Sequence, residues 1–525
     1  AQPVEWRLIL RVSMIKRLRL LVLAMTALLT VSVIAAETPP LVDAARHQDT
    51  VMLQLLLNAD ADPDSRQADG ATALHWAAYH ENVDIVVSLI EADANVNAVN
   101  RLGASPLYLA AKNGSANLIE LLLEAGANPN IAMPMGETPI MTAARSGTAR
   151  GVQLLVEAGA DVNIAEQSRE QTALMWAAAQ GHVEVARLLV NAGADLEARS
   201  KLRSRLMYAD RSNGGAFDQG IMEQLGGFTA LLFAARSGDI EMARLLLDSE
   251  ADIEAVAGNK TSAVVIATHS GHPGLAKLLL ESGANANTIG AGYTALHAAI
   301  LRGDLDTVNA LLAHGADPNA RLLRPNPVQR ASEDWSLKGP KVSATAYWLA
   351  ASFREAEIMR ALVAGGADPS ATNEGRLSIP RNREDRESYT PKVVSGFESS
   401  VQAAIRGDST RSRYYVQPNP DPAGEKQLAL AAVIAAAEHG VDLNHRDFSD
   451  STALHDAAAR KLPNIVRELA QRGADVNALN SRGRTPLDMA VAAESQNNFF
   501  DFTVSVSGPT ASEVLKEFAA VRSKR

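Results

Sequence analysis

The chain has no cysteine in its 525 residues. That absence excludes disulfide frameworks, thiolate metal sites, cysteine nucleophiles and a lipid-bearing cysteine. Aromatic residues are scarce at 4%, so a core must be built mainly from Ala, Leu and Val. Positive charge is in deficit: 50 Lys and Arg stand against 60 Asp and Glu, a formal net charge of -10. Residues 1–36 hold Arg7, Arg11, Lys16, Arg17 and Arg19 against Glu5 alone, so the remainder is more acidic still. Overall affinity for nucleic acid is therefore disfavoured. Beyond residue 36 no run is long and apolar enough to span a bilayer.

What is present suffices for a folded core, since apolar residues reach 47% and charged residues 21%. From Met14 the order is a basic stretch (Lys16, Arg17, Arg19), an apolar run over 20–34, then Ala35-Ala36 before Glu37. This order predicts a secretory signal peptide cleaved near Ala35 or Ala36, with residues 1–13 lying upstream of the natural start. The run is shorter than the roughly 20 residues a spanning helix needs. No stable membrane span is expected after cleavage, the alternative being a retained anchor.

The rest is periodic. A Thr or Ser followed by an apolar turn recurs at Thr72, Ser105, Thr138, Thr172, Thr229, Ser262, Thr294, Thr345, Thr452 and Thr485. Most intervals are 32 to 34 residues, and the longer ones are repeats plus extra sequence. A second signal keeps the same phase, as in Gly159-Ala160-Asp161-Val162-Asn163 and Gly473-Ala474-Asp475-Val476-Asn477. In the unit from 172 to 200, Thr172 can cap a first helix, and in sister units Pro106, Pro139 and Pro486 take the first helical position. Leu174, Ala177 and Ala178 make one apolar stripe, and Val185, Leu188 and Leu189 make another on a second helix. Gly181 and Gly193 end the two helices. Neither helix pair can bury both faces alone, so neighbours must stack.

Thr72-Ala73-Leu74-His75, Thr294-Ala295-Leu296-His297 and Thr452-Ala453-Leu454-His455 resemble the repeat-opening motif of the ankyrin-repeat family. The resemblance covers nearly everything after residue 37, in about twelve units. It implies an all-α solenoid of helix-turn-helix units joined by short hairpin turns, with the motif histidine structural rather than metal-binding. Both ends read as capping units, the first through its charged Asp43, Arg46 and Asp49. No phosphate loop, nucleophile elbow or paired-histidine metal motif occurs, and no cofactor, metal or catalytic residue is assigned.

Function is expected where the period breaks. The organisation is a leader with an upstream extension (1–36), an N-terminal block of repeats (37–200), an insertion (201–224), a middle block (225–322), an insertion (323–343), one repeat (344–373), an insertion (374–398), and degenerate and C-terminal repeats (399–525). The three insertions share one phase, which in an ankyrin stack is the projecting hairpin. Gly226-Gly227 reads as a loop hinge. The insertions carry Arg203, Arg205, Tyr208, Phe217, Arg324, Trp335, Arg381, Arg383 and Tyr389, the Arg and aromatic composition of interface anchors. Two more interruptions, 408–425 and 497–510, fall between paired helices. The reading is a monomeric, non-catalytic scaffold, bacterial and periplasmic or secreted, that binds another protein through its concave and hairpin face. A small-molecule or glycan binder is the alternative, followed by an enzyme whose site draws on Asp210, Asp218, Glu223, Glu384 and Asp385.

Overall fold

The computed structural model describes residues 38–208, 220–323, 343–373, 376–378, 392–394, 398–407, 422–495 and 508–522. The leader reading therefore lies outside the described residues. The chain divides into two compact units. One takes residues up to Ser168 with Thr172–Ala177 and Glu184–Ala194, and the other takes Arg169–Gln171, Ala178–Val183 and Asp195–Arg525.

The first unit runs α1 (Pro40–Arg46), α2 (Thr50–Asn58), α3 (Ala73–Tyr79), α4 (Val83–Glu91), α5 (Pro106–Asn113), α6 (Ala116–Glu124), α7 (Pro139–Ser146) and α8 (Ala149–Glu157). The next pair, α9 (Ala173–Gln180) and α10 (Val183–Asn191), is shared between the units. The second unit begins with the antiparallel hairpin β1 (Arg203–Tyr208) and β2 (Gly220–Leu225). It continues through α11 (Ala230–Ser237), α12 (Ile240–Asp248), α13 (Ala263–Ser270), α14 (Pro273–Glu281), α15 (Ala295–Arg302), α16 (Leu305–Ala313), α17 (Ala346–Ser352) and α18 (Ala356–Ala364). A short hairpin of β3 (Arg376–Ser378) and β4 (Lys392–Val394) follows. The last helices are α19 (Ser400–Arg406), α20 (Pro422–Glu438), α21 (Ala453–Ala459), α22 (Pro463–Gln471), α23 (Pro486–Ser495) and α24 (Ala511–Arg522). Among the described residues these helices form twelve consecutive pairs, an all-α repeat architecture, with two small hairpins inserted in the second unit.

Local chemistry sets the helix bounds. Ser105 accepts from the Tyr108 amide at 3.1 Å and Pro106 takes the first helical position of α5. Several second helices start on Asn or Asp: Asn82 caps α4 at 3.2 Å and Asp239 caps α12 at 2.9 Å. Gly114, at φ 77°, ends α5 in the left-handed conformation that costs glycine least. Glu81, Arg354 and Lys461 take the same conformation without being glycine. Within each unit first helices pack on first helices and second on second. The contact surface is Ala77, Ala78, Ile85, Val86 and Leu89 in the first unit, all fully buried. Alanine pairs let neighbouring axes approach closely, which is how so few aromatics suffice.

Two expectations are corrected. The 408–425 insertion is shorter than its sequence bounds, because α20 begins at Pro422 and runs 17 residues where α18 runs 9. The 497–510 interruption lies mostly outside the described residues. The first helix pair is also not a polar cap: α2 exposes Val51 (73%), Met52 (47%) and Leu55 (59%). The equivalents of Met52, Ile85 and Leu118, are fully buried because a preceding second helix covers them. No such helix precedes α2 among the described residues.

Candidate interaction surface

Most described repeat boundaries are closed by one recurring backbone bond, which in an uninterrupted hairpin runs from the residue five before the opening Thr or Ser to the carbonyl one before it. It is Gln67 to Ala71 (3.0 Å), Asn100 to Ala104 (3.1 Å) and Met133 to Glu137 (2.8 Å) in the first unit. In the second unit the same bond spans Ser200 to Phe228 (3.0 Å), Leu322 to Ala344 (2.9 Å) and Asn373 to Glu398 (3.1 Å). Each of the three insertions is threaded between the two partners of this bond. Lys201, Leu323, Ser343 and Glu398 consequently belong to the regular hairpin, which trims the boundaries read from sequence. Added residues leave the stack intact because they enter where the chain already reverses.

The hairpins are tied to one another. Asn163 donates to the Gly193 carbonyl at 3.1 Å, and Asn97 and Asn130 do the same to Gly126 and Gly159. The last residue of the Gly-Ala-Asp-x-Asn signal thus bridges to the next turn. An arginine staple recurs as well: Arg66 reaches the Val99 carbonyl (3.1 Å), Arg199 that of Val256 (2.6 Å), Arg321 that of Thr372 (3.2 Å) and Arg446 that of Leu479 (2.7 Å). Two of these four staples, from Arg199 and Arg321, hold the roots of interrupted hairpins.

In the first insertion Arg203 pairs across the hairpin with Leu225, Arg205 with Glu223 and Tyr208 with Gly220. Arg203 and Arg205 are exposed and two apart, so they share one face of β1. The Gln224 side chain donates to Ser204 at 2.8 Å across the strands. Gly226 is no hinge. At φ 92°, a Cβ there would lie 2.0 Å from the Lys201 carbonyl oxygen, so the close approach of backbone demands glycine. Phe217, Arg324, Trp335, Arg381, Arg383 and Tyr389 lie outside the described residues, as do Asp210, Asp218, Glu384 and Asp385.

The sequence reading missed a ladder on the first helices. The residue seven after the opening position meets the residue four after it in the next repeat. Arg46 lies 5.4 Å from the Trp76 ring, Arg145 lies 5.3 Å from Trp176, and Arg406 lies 2.9 Å from Asp456. Glu137 pairs with Arg145 at 2.9 Å from one residue before the opening Thr, the place Glu398 holds beside Arg406 at 3.4 Å. Aligning repeats in columns would have exposed these positions, because Arg46, Arg145, Arg236 and Arg406 share one column.

Arg406 is the most crowded member. It also meets the nearly inaccessible Asp447 at 2.6 Å, so three carboxylates surround one guanidinium. Burial pushes the Glu398 carboxyl up to about 7, reinforced by Asp456 and Asp447 and opposed by Arg406. Burial also raises Asp456 despite Arg406. Burial works against ionised Asp447, but hydrogen bonds from Arg406, Ser449 and Ser451 outweigh it and hold the group below its usual range.

The motif histidines are structural. His75 closes a capping box with Thr72 and its Nε2 meets the Ala104 carbonyl at 2.9 Å, and His455 meets that of Arg484 at 3.0 Å. Among the described residues no group of three or more His, Asp or Glu is arranged to hold a metal ion, and no helix is long and apolar enough to cross a membrane.

This architecture matches known proteins. The family described as Ankyrin repeats (3 copies) matches residues 41–133, 118–200 and 231–321, and the one described as Ankyrin repeats (many copies) matches 437–490. Alpha-latrocrustotoxin-Lt1a of Latrodectus tredecimguttatus is 31% identical over 103 residues, 17% of this chain and 7% of that protein. The B-cell lymphoma 3 protein homolog of Mus musculus is 30% identical over 199 residues, 38% of this chain and 39% of that protein. The chain thus spans well under half the length of either curated relative. A solved structure, the human ASB11 ankyrin repeat domain, aligns with TM-score 0.38 and 23% identity over 47% of this chain and 98% of its own. With the family matches falling on the same helix pairs over more than half its length, the chain belongs to the ankyrin-repeat family.

Proposed function

We propose that this chain is a non-catalytic scaffold that holds another protein through its concave and hairpin-insertion face. The observation that carries this reading is the shared root of the three insertions. All of them open between the partners of the same backbone bond, within one compact unit, so they leave the stack from equivalent positions. Arg203 and Arg205 stand exposed on the first of them. The scaffold's motif histidines His75 and His455 are committed to helix caps.

The chain works as an exported protein of a bacterial envelope, periplasmic or secreted, with its leader cleaved, and as a monomer. The leader order, basic then apolar then Ala35-Ala36, supports export.

The decisive experiment removes 203–226, 325–342 and 376–396 together while keeping the recurring root bonds. The expected outcome is an unchanged helical spectrum and loss of partner capture from an envelope extract. Capture that survives the excision overturns the reading, and so does collapse of the helical signal. Mass spectrometry of the exported protein reads the leader: an N-terminus after residue 35 or 36 is expected, and a retained leader overturns export with cleavage.

A further inference from the structure

We propose that the root of the third insertion is a proton-operated latch, in which Glu398, packed with Asp447 and Asp456 around Arg406, holds the hairpin closed when neutral and loosens it when ionised. The proposal concerns regulation of the surface described above and rests on that reading only for its effect on partner capture. The latch itself can be read with no partner present.

Glu398 joins both parts of the device. Its backbone closes the insertion, donating to Asn373 at 3.3 Å and accepting from Asn373 at 3.1 Å, while its carbonyl also accepts from the Trp348 indole at 3.0 Å. Its side chain faces Arg406 of α19, Asp447 of the following hairpin, Asp456 of α21 and Arg460 at that helix's C-terminal end. Arg406 is already engaged by Asp447 at 2.6 Å and Asp456 at 2.9 Å. An ionised Glu398 therefore adds a third negative charge to a guanidinium that two carboxylates already hold. Arg460 favours the ionised form as well, but burial, Asp456 and Asp447 outweigh the two arginines. The cheapest relief is for the Glu398 side chain to move to water, and its backbone bonds to Asn373 and Trp348 go with it.

Sister repeats show how unusual the arrangement is. At the position of Asp447 other hairpins carry Asn100 and Asn480, which close the same turn without charge. At the position of Asp456 the first unit carries Trp76 and Trp176. Only in this repeat among the described ones does the ladder arginine meet three carboxylates.

The sign follows from linkage. A carboxyl raised from 4.5 to about 7 in the closed form contributes stability that is complete below 4.5 and lost as pH rises through 7. Opening of the root should then become about tenfold easier between pH 6 and pH 8. Hydrogen exchange on the full chain, corrected for intrinsic rates, reads this in peptides covering 373 and 398. The root at Asn480 and Arg484, whose two residues carry no carboxylate, serves as internal control. The expected result is about a tenfold fall in protection at 373 and 398 with no change at 480. Glu398→Gln should remove the pH dependence, and Asp447→Asn should move its midpoint downward while keeping the turn. Equal protection at both pH values overturns the latch. A fall of the same size at 480, or one retained in Glu398→Gln, overturns it too. Loss of capture without the exchange change would count against the latch alone, and an exchange change with no captured partner would count against the scaffold reading alone.

Discussion

The hairpin at Asn100–Ala104 and the one at Ser200–Phe228 are the same structure with different amounts of chain inside. Both are closed by the same backbone bond, at 3.1 and 3.0 Å, and both are linked to the preceding hairpin by the next amide, Arg101 to Asp69 and Lys201 to Arg169. The first encloses three residues, whereas the second encloses a two-stranded arm. The first unit keeps its hairpins short throughout its described residues, while the second interrupts three. Stability and elaboration are thus separable here: the stack is secured by helix packing and root bonds, and additions beyond the root are free of that duty.

The comparison can be broken most severely through the core. Leu118→Ala in the first unit removes a fully buried side chain shared with neighbouring helices and should cost about 2–5 kcal/mol by denaturant unfolding. Excision of 203–226 should cost far less. Equal losses would show that the insertion is structural.

Next come the glycines. Gly226→Ala meets the Lys201 carbonyl, whereas Gly159→Ala meets nothing within 4 Å and bears only its φ of 82°. The second should cost about 1–2 kcal/mol and the first clearly more, with the excess confined to the second unit in hydrogen exchange.

Acid should separate the units as well. Burial, aided by Arg302, holds His269 down at about 3. Burial also pushes His297 down to about 4. Both lie in the second unit, whereas the first unit's His75 is lowered by burial against the opposing Ala104 carbonyl. A depressed histidine supplies stability that is present above 6.5 and lost as pH falls through those values. The second unit should therefore lose exchange protection first below pH 6.5. Earlier loss in the first unit would contradict this.

Smaller gains lie at the helix ends. Lys461→Gly and Glu81→Gly relieve left-handed non-glycine residues at φ 55° and 57°. Each should stabilise its own unit by about 0.5–1 kcal/mol, raising the thermal midpoint. Least of all, Arg203→Ala and Arg205→Ala should shift stability by under about 0.5 kcal/mol while weakening partner capture.

The fold was legible because each repeat states it again. Thr72, Ala77, Ala78 and His75 have local or adjacent-repeat partners, so one period contains the whole instruction. The hairpin phase of the insertions was legible for the same reason. Their trimmed bounds were not, since nothing in Lys201 or Glu398 announces that its backbone belongs to the root. The ladder of Arg46, Arg145 and Arg406 was missed because its contacts change chemistry from tryptophan to aspartate and, at Arg406, lie 50 residues apart. The exposed Val51, Met52 and Leu55 misled in the opposite sense: the charged Asp43, Arg46 and Asp49 suggested a cap, but burial of a helix face depends on what packs before it.

By itself the sequence determined the repeat unit, the helix ends and the places where the period opens, because these depend on residues close along the chain or one period apart. Only the tertiary structure decided that the insertions share one backbone bond, that Gly226 admits no side chain, and that three carboxylates converge on Arg406. Those facts depend on distances between different repeats, and a linear pattern does not carry them.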